Sequence, residues 1–205
     1  MLRRLFALSL ILLLGIADRC MATERPEYDI EVSEPPFEVR QYAPTVVAAV
    51  HVDGTREAAV NAGFRILASY IFGNNEAQRK IAMTAPVTQG TRIAMTAPVE
   101  QNEAQTGWEI RFTMPSGYTM STLPKPRDPR VELVAVPHRR VAAVTFSGFW
   151  SDSNLQSHRA QLLDFLKKRR LTALSAPVYA YYDPPWTPWF WRTNEVMIDI
   201  AAAPR

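Results

Sequence analysis

Two octapeptides in distant parts of the chain share one pattern. Val47-Ala-Ala-Val-His-Val-Asp-Gly54 and Val141-Ala-Ala-Val-Thr-Phe-Ser-Gly148 match in apolar and polar order, and both end on glycine. Each follows a strand-like run and a proline: Phe37–Tyr42 with Pro44, and Val131–Val136 with Pro137. Each precedes a segment with helical periodicity. A unit that recurs in this order constrains the fold strongly, because both copies must bury the same faces in the same way.

The first helix is expected to begin at Thr55, whose hydroxyl suits an N-cap, and to run to about Phe72, before the stop residues Gly73 and Asn74. Val60, Phe64, Leu67 and Ile71 fall on one stripe, which predicts the buried face. Gly63 lowers helix propensity and so reads as a point of close packing or ligand approach. The second helix is expected to start after Asp152 or Ser153 and to end near Leu171, burying Leu155, Leu162 and Leu166, with Phe165 beside them.

After each helix the pattern returns to strands. Ile-Ala-Met-Thr-Ala-Pro-Val occurs at Ile81–Val87 and again at Ile93–Val99. Its alternation predicts two strands joined by a hairpin loop at Thr88–Arg92, followed by a strand at Trp108–Met114. Pro86 and Pro98 cannot donate a ladder hydrogen bond, so each belongs at an edge or a strand end. The later strands are Val178–Tyr182 and Glu195–Ile200, and Leu123–Pro129 is a proline-rich connector. The expected fold is α+β: a duplicated strand-strand-helix-strand module forming antiparallel sheets or a distorted β-barrel, with two flanking helices. Its pseudo-twofold halves span about 28–114 and 129–200.

Residues 1–22 read as a signal peptide, and residues 23–205 as the folded domain. Leu2-Arg3-Arg4 is a basic start, Leu5–Ala17 is mostly apolar, and small residues precede a cleavage site after Ala22. The apolar run is short for a bilayer span, so no transmembrane segment is expected after cleavage. The expected location is periplasmic or secreted; retention of the segment, or lipidation of Cys20, would instead anchor the chain to the envelope. Cleavage removes the one cysteine, and with it any thiolate ligand or disulfide. Three Arg and one Asp leave too, lowering the formal charge from +3 to +1. Nucleic acid is therefore not an expected partner. The one basic cluster, Lys167–Arg170, closes the second helix, where positive charge suits the helix dipole.

The stretches Tyr28–Val32, Phe37–Tyr42, Gly63–Asn75, Lys80–Val87, Asp128–Val131, Tyr182–Pro185 and Arg192–Val196, in that order, resemble the SOUL heme-binding protein family. The resemblance covers about Tyr28 to Ile200. It implies a duplicated strand-and-helix fold, similar to the effector-binding domains of bacterial regulators, and binding of heme or a related tetrapyrrole in an apolar groove along the first helix. Carried over residue by residue, that helix face is Asn61, Phe64, Ala68 and Ser69, with Arg65 as the nearest cation. Where some members place basic residues for propionates, Asn61 and Ser69 are neutral. Where one branch has a histidine proposed as iron ligand, this chain has Gln41.

The residues themselves assign no axial ligand. His51, His138 and His158 share no metal-ligand spacing, and Met83 and Met95 fall on the apolar side of their repeats, where core filling is their expected role. Tyr70 is a weak candidate beside the groove. Porphyrin held only by apolar contact and a propionate–cation pair would bind with modest affinity. The loop Pro184–Trp191 is the most aromatic stretch; it can cap a barrel end, stack on a flat ligand or meet a membrane interface. No catalytic elbow, P-loop or metalloprotease motif occurs, and Glu109 and Tyr118 are too loosely placed to nominate as catalytic. The reading is an exported, non-enzymatic, monomeric binding protein for heme or another planar apolar molecule. A hydrolase or isomerase using the same pocket, or an envelope protein-interaction module, are the alternatives.

Overall fold

The computed structural model describes residues 23–91 and 107–203. Among the described residues, nine antiparallel strands form one sheet: β1 (Tyr28–Glu34), β2 (Phe37–Tyr42), β3 (Thr45–Asp53), β4 (Val87–Thr91), β5 (Gly107–Thr113), β6 (Glu132–Val136), β7 (Arg139–Phe146), β8 (Val178–Tyr181) and β9 (Asn194–Asp199). Two helices flank it, α1 (Arg56–Ile71) and α2 (Asp152–Arg169). The order across the sheet is β1-β2-β7-β9-β8-β4-β5-β3-β6, so it curls as a half-barrel and does not close. The fold is the α+β duplicated module expected from the sequence.

The duplication appears in backbone detail. β3 and β7 are each followed within two residues by a glycine with positive φ, Gly54 at 112° and Gly148 at 111°. L side chains avoid that conformation, so glycine at both places lets each strand turn into its helix. Thr55 and Ser151 then cap α1 and α2, accepting from Ala58 N and Asn154 N.

The first strands of the two modules are exchanged. β2 pairs with β7 and β6 pairs with β3, so each module completes its neighbour's ladder. Only two residues separate β2 from β3 and β6 from β7, a spacing that normally makes a hairpin. Pro44 and Pro137 occupy those gaps. Proline also holds the residue before it extended, so the chain crosses over and does not fold back.

Both helices pack on one face of the sheet. α1 covers Ala48, Val50, Ile110 and Phe112 through Leu67, Ala68, Tyr70 and Ile71. α2 covers Val39, Ala142, Val144, Val196 and Ile198 through Leu155, Leu162, Phe165 and Leu166. Each fully buried aliphatic chain contributes about 1.5–3 kcal/mol relative to exposure. The expected α2 stripe is the one observed. The α1 stripe is rotated: Ala59, Gly63 and Leu67 face inward, while Phe64 is exposed. Gly63 is the cause. A Cβ built there lies 2.4 Å from Ile110 Cγ1, so the bare backbone seats directly on β5 and turns the next residue out.

The heptapeptides depart from expectation. Residues 81–86 are not a strand; Thr84 makes one parallel bridge to Glu24, and β4 begins only at Val87, after Pro86. The stretch expected as a loop is therefore largely strand, and β4 pairs with β5 and β8. A proline next to the strand start removes the donor a ladder needs. Met83, expected in the core, is exposed. The second copy, Ile93–Val99 with Met95, lies outside the described residues, as does the segment read as a signal peptide.

Candidate functional site

The outward face of α1 carries the family-derived residues. Asn61, Phe64, Arg65 and Ser69 are exposed and Ala68 is buried. Phe64 is 37% exposed, yet its ring lies edge-on to Phe112 at 5.3 Å, which fixes it against the sheet. Ala68 at i+4 keeps the surface beside it low. Arg65 pairs with no carboxylate among the described residues. The face thus offers a held aromatic ring, small neutral neighbours and one cation.

Tyr70 points the other way. Its hydroxyl donates to Pro124 O at 2.8 Å, pinning the proline-rich connector to the helix, and burial pushes its pKa up to about 12. Asn75 continues the clamp, donating from Nδ2 to Tyr70 O and Arg79 O.

The face of the sheet opposite the helices is built around a buried ion pair. Arg40 donates from Nη2 to Glu195 Oε1 at 2.7 Å and from Nη1 to Oε2 at 3.0 Å, the forked geometry that guanidinium and carboxylate match best. Tyr182 Oη donates to Glu195 Oε2 at 2.6 Å, Thr145 Oγ1 donates to Oε1 at 3.0 Å, and Glu38 accepts from Arg40 Nε. Burial opposes the Arg40 charge, but the adjacent Glu195 carboxylate outweighs it and raises the pKa. Burial raises that of Tyr182, and Glu195 adds to the effect. Both members of the buried Arg40–Glu195 pair are partnered, so neither charge is left stranded.

Two clefts open nearby, one at the strand ends and one on this face. One, of about 500 Å³, lies between the N-terminal segment Glu24–Pro26 and the rim formed by Val46, Ala135 and Val136. The other, about 350 Å³, reaches Glu109, Arg111, Arg139 and Asp199. They share Pro26, Thr45, Thr113 and Val136. Neither is lined by Asn61, Phe64, Arg65, Ala68 or Ser69. Glu109 pairs with Arg111 at 2.5 Å, and Tyr118 lines the first cleft without meeting Glu109 in a shared one.

A family model described as SOUL heme-binding protein matches residues 23–199. The chain belongs to the SOUL family. Heme-binding protein 2 of Homo sapiens is 30% identical over 128 residues, 62% of this chain; the match spans 58% of the human protein's own length. Heme-binding protein 2 of Mus musculus is 27% identical over 162 residues, 76% of each chain. Among solved structures, the EcmrR C-terminal domain superposes with a TM-score of 0.61 at 10% identity, covering 86% of this chain and 99% of that one. A protein from Listeria innocua described as a hydrolase gives 0.52 at 13% identity, covering 83% and 94%. At such identities these two share the fold and nothing finer.

SOUL membership implies heme, and the α1 face can be tested for it residue by residue. Phe64 fits the apolar ring and Arg65 fits a propionate, whereas Ala68, expected on this face, is buried against the sheet and offers the ring little surface. The described histidines lie elsewhere. His51 sits in β3 with its Nε2 3.9 Å from Glu109, on the cleft side. His158 stacks on Phe146 in α2, its Nδ1 2.9 Å from Asn154 O. His138 lies between β6 and β7. The face therefore suits the porphyrin plane and its carboxylates more than its iron.

Sequence reasoning missed the Arg40–Glu195 network and both clefts. Alternation places Glu38, Arg40 and Tyr42 on one side of β2, which reads as a solvated face. Side chains from other segments cover that side: the Tyr28 ring of β1 lies 4.4 Å from the Arg40 guanidinium, and Arg25 lies over Tyr182.

Proposed function

We propose that this SOUL-family chain is an exported, non-enzymatic binding protein for heme or a related planar tetrapyrrole, held along the outward face of α1. The observation that carries the reading is Phe64, a large aromatic side chain kept at the surface against Phe112, with Ala68 beside it and Arg65 unpaired nearby. The ring would stack on Phe64, and a propionate would meet the Arg65 guanidinium. Such a site has no built-in preference for one metal and binds with modest affinity.

Titration of the chain Thr23–Arg205 with hemin, followed in the Soret band, is expected to saturate near one equivalent. Phe64→Asp is expected to weaken binding about tenfold or more, since a charge replaces apolar contact, with the far-UV spectrum unchanged. A second location competes on one observation: the two adjoining clefts away from α1, which share lining residues, have the volume for a ligand of this size. Ala135→Trp would fill the mouth of the larger cleft. Loss of hemin binding in Ala135→Trp with none in Phe64→Asp would move the site there.

A further inference from the structure

The β8–β9 hairpin displays an aromatic surface that the tetrapyrrole reading does not use. Trp186 is 82% exposed and Trp191 72%, while Trp189, Phe190 and the neighbouring Phe149 are each about half exposed. From Pro184 to Trp191 the chain carries no charge. Such a continuous apolar surface is unusual on a protein that meets only water. It does not cap the sheet, because these rings point away from the core.

The display is held rigidly. Arg192 is buried and spends its guanidinium on the hairpin: Nε donates to Thr187 O at 2.8 Å, Nη2 donates to Pro185 O, and the plane lies 4.6 Å from the Trp150 ring. Gly148 N donates to Trp189 O at 2.9 Å, and Phe149 stacks on Trp189 at 5.9 Å. Asp183, the nearest acid along the chain, is turned inward, accepting from Thr193 N at 2.6 Å. Three prolines, Pro184, Pro185 and Pro188, stiffen the rest. A buried arginine organising exposed tryptophans presents a preformed contact surface, with little ordering left to do on binding.

The partner follows from two observations. Uncharged tryptophans in a rigid loop match the amphipathic zone of a bilayer, where the ring sits among headgroups. The N-terminal segment also enters the fold beside this hairpin. Glu24 bridges Thr84 and accepts from Ala85 N; Val87 opposite it pairs with Tyr181; and the Arg25 guanidinium lies 4.8 Å from the Tyr182 ring. The described chain therefore enters at the end that carries the tryptophans, and the apolar run Leu5–Ala17 lies ahead of that entry point in the sequence. We propose that the β8–β9 hairpin seats the protein on the surface of a lipid bilayer, without spanning it, independently of any ligand on α1.

The test uses the chain Thr23–Arg205, which contains every described contact, and phosphatidylcholine vesicles. The protein is expected to co-sediment with vesicles, with a blue shift of tryptophan emission and quenching by brominated lipid. Raising the salt should change none of these, because no charge takes part. The double variant W186S/W191S removes two exposed rings, leaves the Arg192 contacts in place, and should lower partitioning about tenfold or more. Trp108 and Trp150 remain as fold reporters in the near-UV. Absence of co-sedimentation overturns the proposal, as does binding that persists in the double variant. Binding that requires anionic lipid and disappears in high salt overturns it too, assigning the contact to the Lys167–Arg170 cluster. Vesicle-independent capture of one protein partner, lost in W186S/W191S, would replace the bilayer with that partner.

Discussion

Arg40 and Glu195 lie far apart in the chain yet form the buried tie of the sheet. Removing one partner strands the other charge away from water, a loss of about 3–5 kcal/mol for pairs of this kind. Arg40→Met is expected to fall in that range by urea denaturation. The double change Arg40→Met with Glu195→Leu should cost distinctly less than the sum of the single changes, since neither charge is then orphaned. Additive losses would show that the two groups act independently. At this scale the sequence was partly readable. Thr55 caps α1 as expected, and Leu155, Leu162 and Leu166 are buried as periodicity requires, but α2 is capped by Ser151, ahead of the expected Asp152 or Ser153. Arg40 was not readable as buried, because alternation says which residues share a face and not whether that face is covered.

At the scale of elements, the contact between α1 and β5 depends on a missing side chain. Gly63→Ala gains roughly 1 kcal/mol of helix propensity. It also drives a methyl group into Ile110, whose side chain is fully buried and has nowhere to go. Overpacking of this kind costs about 1–3 kcal/mol, so the sign of the net effect is set by the clash. A lowered unfolding midpoint is expected, and a raised one would mean that α1 can lift off the sheet at little cost. The same glycine explains why the expected α1 stripe was rotated. A hydrophobicity pattern assigns faces by side-chain size, and here the tightest contact is made by the residue with none. That rotation leaves Phe64 at the surface. Strand assignment failed at Ile81–Pro86 for a related reason: alternation was present, but Pro86 denies the ladder a donor next to its start.

For the whole molecule, the exchange of β2 and β6 decides what can exist alone. Fragments Thr23–Ser121 and Thr122–Arg205, expressed separately, each lack one strand of their own sheet. Neither is expected to show a cooperative thermal transition, whereas mixing them should restore near-UV signal and a single transition. A fragment that melts cooperatively by itself would contradict the exchanged pairing. The duplication was legible in Val47–Gly54 and Val141–Gly148, and so was the α+β class. The partner of each first strand was not, because a two-residue gap suggests a hairpin to any local reading. The exchange also governs how the chain reaches its native state. Phe37 must find Val144 and Thr45 must find Val136 before either half is complete, so the early residues wait for the late ones. Contacts so distant along the polymer are assembled slowly, on the order of milliseconds to seconds, and during synthesis β2 and β3 leave the ribosome before their partners exist.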